Sequence, residues 1–451
     1  MIVWESFFDS GNIAWLLFIA LLAPAFCLGG LWLMVGSRFS EATKERLKCQ
    51  SPLIVAILAL AWGGWIYTLG FGPSWGTIPP PATETAGPMT GIAEAMAYAD
   101  SLPDETLKMG RGGYFGGLEY MLLEKVLPVA GSHGPNFPTK ASEHGVPSLV
   151  VCLLQFSVFL IALFPLVLVW SEKFSGIGLT VLLMVWSTLV YAPVAHAVAG
   201  DGWLFYRGTL DASAGLIFLA VGCSLFLLRS GTATSDGSDS PSGGVGALSF
   251  CLGILLLQGG SIHQADGRAV LAVVNSLLGV SAGLLSWSFC SSFLWKRLHT
   301  ENLTSGVLVA TTAMAACSAY VMPQSAVIIG VVAGAIGNIV DRWLKAEAQA
   351  TRMLASALCC GSVIGLLGVG IFATTGAGGN RWDGREITGL LQGDFSQIQH
   401  QLLAIGAVGV WSALMTFLLT RIANAVFPGS LKLSPATSAN ADAEPLAGST
   451  S

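Results

Sequence analysis

Charged side chains are scarce in this 451-residue chain: Asp, Glu, Lys and Arg make up 10% of it, where a water-soluble domain carries roughly a quarter. A solvated surface cannot be built from so few. The balance is −5, and the basic residues lie in short clusters, so no field to draw a polyanion is expected and nucleic acid is not an expected partner. Histidine is as sparse, with only His133, His144, His196, His263, His299 and His400. The cysteines, Cys27, Cys49, Cys152, Cys223, Cys251, Cys290, Cys317, Cys359 and Cys360, lie nearly all in apolar runs with no CxxC spacing. They read as small buried hydrophobes. The vicinal pair Cys359 and Cys360 falls in a predicted helix, where consecutive side chains diverge, so no metal site or cofactor is expected. Paired carboxylates, a nucleophile elbow and a phosphate-cradling loop are also missing, which argues against an enzyme. The first eleven residues have no basic n-region, carry Glu5 and Asp9, and run into a full-length apolar segment, so the first helix is expected to be retained.

What the chain has in abundance is apolar surface, 53% of its residues. Crossing a bilayer takes about 20 apolar residues in a helix. Such runs recur near 13–36, 50–72, 147–170, 177–199, 211–229, 246–262, 269–295, 304–322, 324–345, 354–375 and 400–424. The expected class is all-α, a polytopic bundle of eleven transmembrane helices in a lipid bilayer. An odd number puts the termini on opposite sides. With the amino terminus outside, thirteen of the twenty-one lysines and arginines fall in inner loops, among them Arg38, Lys44, Arg46, Lys48, Lys296, Arg297 and Arg352. Four of the other eight lie in the long 73–146 segment, which the charge rule barely weighs. The expected orientation is therefore amino terminus outside, carboxyl terminus cytoplasmic, in a membrane of the bacterial inner type.

Residues 1–427 read as one membrane domain, with 73–146 as an extracytoplasmic cap between the second and third helices. That cap opens on Pro79, Pro80 and Pro81 and offers helical patterns over Gly91–Leu102 and Tyr114–Leu127, where Met121, Leu122, Val126 and Leu127 could bury against helix ends. The tail 428–451 is rich in Ala, Ser, Pro and Thr and cannot offset its ordering entropy, so disorder is expected there. Small residues recur every four at Gly330 and Gly334 and at Gly361 and Gly365, a spacing that lets helix backbones approach in lipid.

The most informative stretch runs Trp186-Ser-Thr-Leu-Val-Tyr-Ala-Pro-Val-Ala-His196-Ala-Val-Ala-Gly-Asp-Gly-Trp203, followed by Gly208-Thr-Leu-Asp211. It resembles the signature of the ammonium transporter family. Tyr67-Thr-Leu-Gly-Phe-Gly72 resembles the end of that family's second helix, Ala326-Val-Ile-Ile-Gly-Val-Val-Ala-Gly334 its ninth helix and Gly370-Ile-Phe-Ala373 the end of its tenth, in order. The resemblance implies two inverted five-helix repeats plus a final helix, a homotrimer with a pore in each subunit, and a substrate path near the bilayer midplane.

The same resemblance exposes a departure. The family passes ammonia along two facing imidazoles, but the matching positions, eight after Asp211 and twelve before Gly370, are Leu219 and Leu358. Neither accepts a proton. A tryptophan of the outer site corresponds to Ala199, and two gating phenylalanines to Val158 and Leu257. Gln155, Gln258 and Ser261 remain as polar candidates at the entrance, and Phe156, Phe159 or Phe218 could re-create an aromatic gate. Asp211 is placed to cap free backbone N–H groups at the start of the fifth helix and to attract a cation. His196 is expected to bond to a neighbouring helix or backbone, and His263 and His400 to sit at outer helix ends. Pro193 is expected to kink its helix and free a carbonyl, which either faces a cavity or is absorbed by packing.

These readings imply a channel for ammonia, ammonium or a related small neutral molecule, with Leu219 and Leu358 as a hydrophobic constriction. The alternatives are a non-conducting receptor or structural subunit and a passive gas channel. The tail at Leu431-Lys-Leu-Ser-Pro435 lacks the family's regulatory pattern, so a P-II protein partner is not expected.

Overall fold

The structure is a computed structural model that describes residues 8–39, 41–74, 112–131, 134–138, 145–174, 176–227, 242–296, 300–344, 349–381 and 384–426. The Pro79–Pro81 stretch, the Gly91–Leu102 pattern and the 428–451 tail lie outside them. The long helices are α1 (Ser10–Val35), α2 (Glu41–Phe71), α3 (Ser148–Trp170), α4 (Gly176–Trp186, Ser187–Tyr191 and Ala192–Ala199), α5 (Gly215–Leu227), α6 (Ser242–Gly260), α7 (Gly267–Trp295), α8 (Thr300–Cys317), α9 (Pro323–Trp343), α10 (Gln349–Phe372) and α11 (Phe395–Val426). Each expected span coincides with one of them. Among the described residues nine helices are long and apolar enough to cross a membrane, while α5 and the apolar part of α8, Leu303–Cys317, are shorter. Strand structure among the described residues amounts to one small hairpin, β1 (Val129–Gly131) with β2 (Gly134–Asn136).

Helix α2 starts nine residues before the apolar run does. Its added turns carry Glu41–Lys44 and Glu45–Lys48 ion pairs at i,i+3, a spacing that supports a helix outside the apolar stretch. Glycine sets how the helices pair. A Cβ on Gly330 or Gly334 of α9 would lie 2.1 Å from the carbonyl of Gly279 or Gly283 on α7, and one on Gly365 of α10 would lie 2.2 Å from the Ala313 carbonyl on α8. The recurring glycines are thus points of backbone contact, the packing that substitutes in lipid for a hydrophobic drive.

Both α2 and α4 contain one wide turn, at Trp62–Ile66 and at Ser187–Tyr191. The two are tied by Trp65 Nε1 donating to Thr188 Oγ1 at 2.9 Å. Pro193 follows the second and contributes no N–H to the turn above it. The carbonyl four residues earlier, Leu189, accepts instead from Trp411 Nε1 of α11 at 3.0 Å. A hydrogen bond from a neighbouring helix satisfies the freed group. Pro24 of α1 is handled in the same way, with the Ala20 carbonyl accepting from Ser157 Oγ of α3.

The described part of the cap corrects one expectation. Tyr114–Leu127 is not a helix: it holds a single tight turn at Met121–Leu123, with Leu122 and Leu123 at φ of 55° and 63°. Two tethers prevent a regular helix. Gly116 N–H donates to the Leu69 carbonyl, and Thr68 Oγ1 donates to the Gly117 carbonyl at 2.8 Å. Of the four residues expected to bury, Val126 does, while Met121, Leu122 and Leu127 stay exposed.

Candidate functional site

One end of the bundle carries Asp211, and its geometry is built from three connections. Asp211 lies just ahead of α5, where its Oδ1 accepts from Gly215 N–H at 2.8 Å and its Oδ2 from Leu216 N–H at 2.7 Å. The carboxylate satisfies donors that the first turn of a helix leaves free. The neighbouring Ala212 and Ser213 N–H groups donate to the Ala316 and Ala315 carbonyls of α8, which holds the start of α5 against that helix.

Gln258, expected at an entrance, is fully buried. Its Nε2 donates to Ser213 Oγ at 3.1 Å and its Oε1 accepts from Ser318 Oγ at 2.9 Å. It therefore braces α6 to the segments around α5 and α8. Asn275 of α7 extends the brace, donating from Nδ2 to the Ser318 and Val321 carbonyls. Ser213, Ser318 and Asn275 were not legible as partners, because each comes from a different element and carries no local signal. Ser261 is partly exposed and spends its hydroxyl on the Gln258 carbonyl at 2.8 Å. Gln155 is partly exposed on α3, and Ala199 is exposed at the end of α4.

Four of the expected site residues are core. Val158, Leu257, Leu219 and Leu358 are each buried, the last two both 3% exposed. The structure brings together the helices that carry Leu219 and Leu358. A Cβ on Gly222 of α5 would lie 2.6 Å from Cys359 Sγ, 2.9 Å from Cys359 N and 3.2 Å from the Leu358 carbonyl carbon of α10. One helical turn beyond Leu219, the Sγ of Cys223 lies 3.9 Å from that of Cys359. The α5–α10 seam is thus lined by aliphatic and thiol groups, with no imidazole among them.

Phe156 and Phe159 of α3 belong to an aromatic cluster around Trp62, with ring centroids at 5.7 and 5.1 Å, and Tyr191 joins it at 6.2 Å. The cluster assembles where the wide turns of α2 and α4 meet, which the spacing of the aromatics in the chain does not reveal. Phe218 is buried separately on α5. His196 is fully buried and its Nε2 hydrogen-bonds with Ser74 Oγ at 2.9 Å, which also accepts from Gly113 N–H. The histidine of the signature therefore ties α4 to the start of the cap through a side chain, where a neighbouring helix or backbone was expected. A cavity of about 360 Å³ opens elsewhere, between Pro193, Ala197, Trp203, Leu204, Val408 and Trp411. None of the expected site residues lines it.

Comparison with known proteins bears on this arrangement. The pattern of the Ammonium Transporter Family matches residues 115–447. An ammonium transporter of Bacillus subtilis is 26% identical over 323 residues, covering 69% of this chain and 76% of its own length. One from Aquifex aeolicus is 24% identical over 432 residues, covering 94% and 89%. The crystal structure of Saccharomyces cerevisiae Mep2 superposes with a TM-score of 0.75 at 22% identity, over 95% of this chain and 91% of that one. With the signature's His196 on α4 and its Asp211 just ahead of α5, and the family pattern spanning most of the length, the chain belongs to the Ammonium Transporter Family.

Proposed function

We propose that this chain is a membrane channel that passes ammonia, or a neutral molecule of similar size and polarity, without an imidazole relay. The observation that carries this reading is the pair Leu219 and Leu358, buried on two helices that touch. Stripping water from a bare ammonium ion in a low-dielectric slot is expensive, and aliphatic walls offer nothing to offset it. A constriction of this kind dewets and excludes ions. Neutral ammonia bears a much smaller penalty. Asp211 shapes the mouth through its cap on α5, Gln155 and Ser261 are the polar groups left to meet an arriving molecule, and Gln258 holds the entrance together from behind. Val158, Leu257 and Ala199 occupy the positions of the family's outer aromatic gate with small or aliphatic groups. The chain works as a homotrimer in a bacterial-type inner membrane, amino terminus outside and carboxyl terminus in the cytoplasm.

A second reading is a non-conducting receptor or structural subunit, and the close approach of Gly222 to the Cys359 backbone favours it. Flux into proteoliposomes separates the two. We expect the unmodified protein to speed ammonia entry over protein-free liposomes, read by an internal pH dye, without a current. The Leu219→His, Leu358→His double variant is expected to raise uptake of labelled methylammonium. Rates equal to protein-free liposomes for both proteins would overturn the channel reading in favour of the receptor.

A further inference from the structure

The cysteines behave as small buried hydrophobes at most positions, but one pair is arranged differently. Cys223 of α5 and Cys359 of α10 are free thiols whose sulfurs meet at 3.9 Å. Both keep partial exposure, whereas Cys27, Cys152 and Cys317 are buried. They come from helices held in register by the backbone contact at Gly222, so their spacing is set by the fold and not by flexible loops. Leu219 stands one turn away on α5, and Leu358 is the neighbour of Cys359 on α10.

Two sulfurs held face to face make a chelating pair for a metal that accepts two ligands. Among the described residues no third His, Cys, Asp or Glu joins them to make a group of three. A tetrahedral zinc site needs four ligands, and hard cations require oxygen donors. Soft, thiolate-seeking cations of the Cu(I) type remain. With the zinc–sulfur length of about 2.3 Å as a guide, two metal–sulfur bonds span at most about 4.6 Å in line. Reaching that from 3.9 Å asks the thiols to part by less than an ångström, and a slightly bent geometry asks for less.

We propose that Cys223 and Cys359 form a two-coordinate site for a soft monovalent cation of the Cu(I) class, which staples α5 to α10. On binding, one thiol loses its proton to water and the other stays protonated, so the cation, one thiolate and one thiol carry no net charge. That neutrality suits apolar surroundings. No electron changes hands.

The full-length protein, purified in detergent and reduced, is given Cu(I) without oxygen, and bathocuproine disulfonate then strips weakly held metal. We expect about one Cu(I) to stay on each wild-type chain, and retention to fall about ten-fold or more in Cys223→Ser and in Cys359→Ser. Cys251→Ser should keep its metal. Cys223→Met, which preserves a soft sulfur, should recover part of the retention; a packing role alone would not predict that recovery. X-ray absorption should show two sulfurs around the copper. Wild-type retention no higher than that of Cys223→Ser, or equal loss in Cys251→Ser, would overturn the site. Size-exclusion profiles identify any variant that has unfolded, and Cys223→Met then decides the matter. The experiment reads metal and not flux, so its failure leaves the channel reading intact.

Discussion

Replacing Gly222 by alanine tests whether α5 and α10 touch where the site geometry requires. An added Cβ would meet three atoms: Cys359 Sγ at 2.6 Å, Cys359 N at 2.9 Å and the Leu358 carbonyl carbon at 3.2 Å. The thiol can swing away, but the two backbone atoms cannot. Ordinary contact begins near 3.4 Å, so the helices must separate by about half an ångström, and overpacking of that kind costs roughly 1–3 kcal/mol. Alanine also favours a helix over glycine by about 1 kcal/mol, which would mask part of the cost. Gly406→Ala on α11 removes that ambiguity, because nothing lies within 4 Å of its Cβ and it carries the same propensity gain. The difference between the two variants is then the seam strain alone, about 1–3 kcal/mol. Gly334→Ala should cost more, about 3 kcal/mol, since its Cβ would lie 2.1 Å from the Gly283 carbonyl and demands a shift of more than an ångström. Unfolding in rising SDS, followed by tryptophan fluorescence, should order the variants Gly406→Ala, Gly222→Ala, Gly334→Ala from most to least stable. Gly222→Ala matching Gly406→Ala would refute direct α5–α10 contact.

Three further outcomes follow from named contacts. Asp211→Ala should lose about 1–2 kcal/mol in the same SDS assay, because two N–H groups of α5 lose their acceptor, while Asp211→Asn should lose less. Trp411→Phe leaves the Leu189 carbonyl without its indole donor and should cost about 0.6–1.7 kcal/mol; no loss would mean that another group answers the carbonyl. At the start of α11, burial raises the Asp394 pKa, but hydrogen bonds from Ser396 and the nearby Arg381 guanidinium outweigh it and hold the carboxyl below its usual range. Its contribution to stability is therefore present above the unfolded value, about 3.9, and is lost as pH falls through the lower folded value. Asp394→Asn should flatten the fall in thermal stability below about pH 4, and an unchanged slope would dismiss this carboxylate as a contributor.

The class of the molecule was legible because burial in a bilayer is a local demand. Each crossing needs its own apolar run, so the spans are visible one at a time, and they coincide with α1–α11. Within the signature from Trp186 to Asp211 the cap was legible for a related reason, since a capping carboxylate acts on backbone within a few residues of itself, whereas the buried histidine and the proline are answered by Ser74 and Trp411 far along the chain. Asp211 does cap α5, and His196 does bond outside its own helix. The failures were at positions where the partner lies far away in the chain. Tyr114–Leu127 has a helical pattern, but its tethers to Thr68 and Leu69 decide its shape. Gln258 is polar enough to suggest an entrance, yet Ser213 and Ser318 close around it. Nothing near Cys223 announces Cys359. Hydropathy reports how far a residue sits from water, and it does not encode which helix lies alongside. In lipid that choice is made by the fit of backbone against backbone at glycines and by hydrogen bonds between distant side chains, interactions that exist only once the helices have come together.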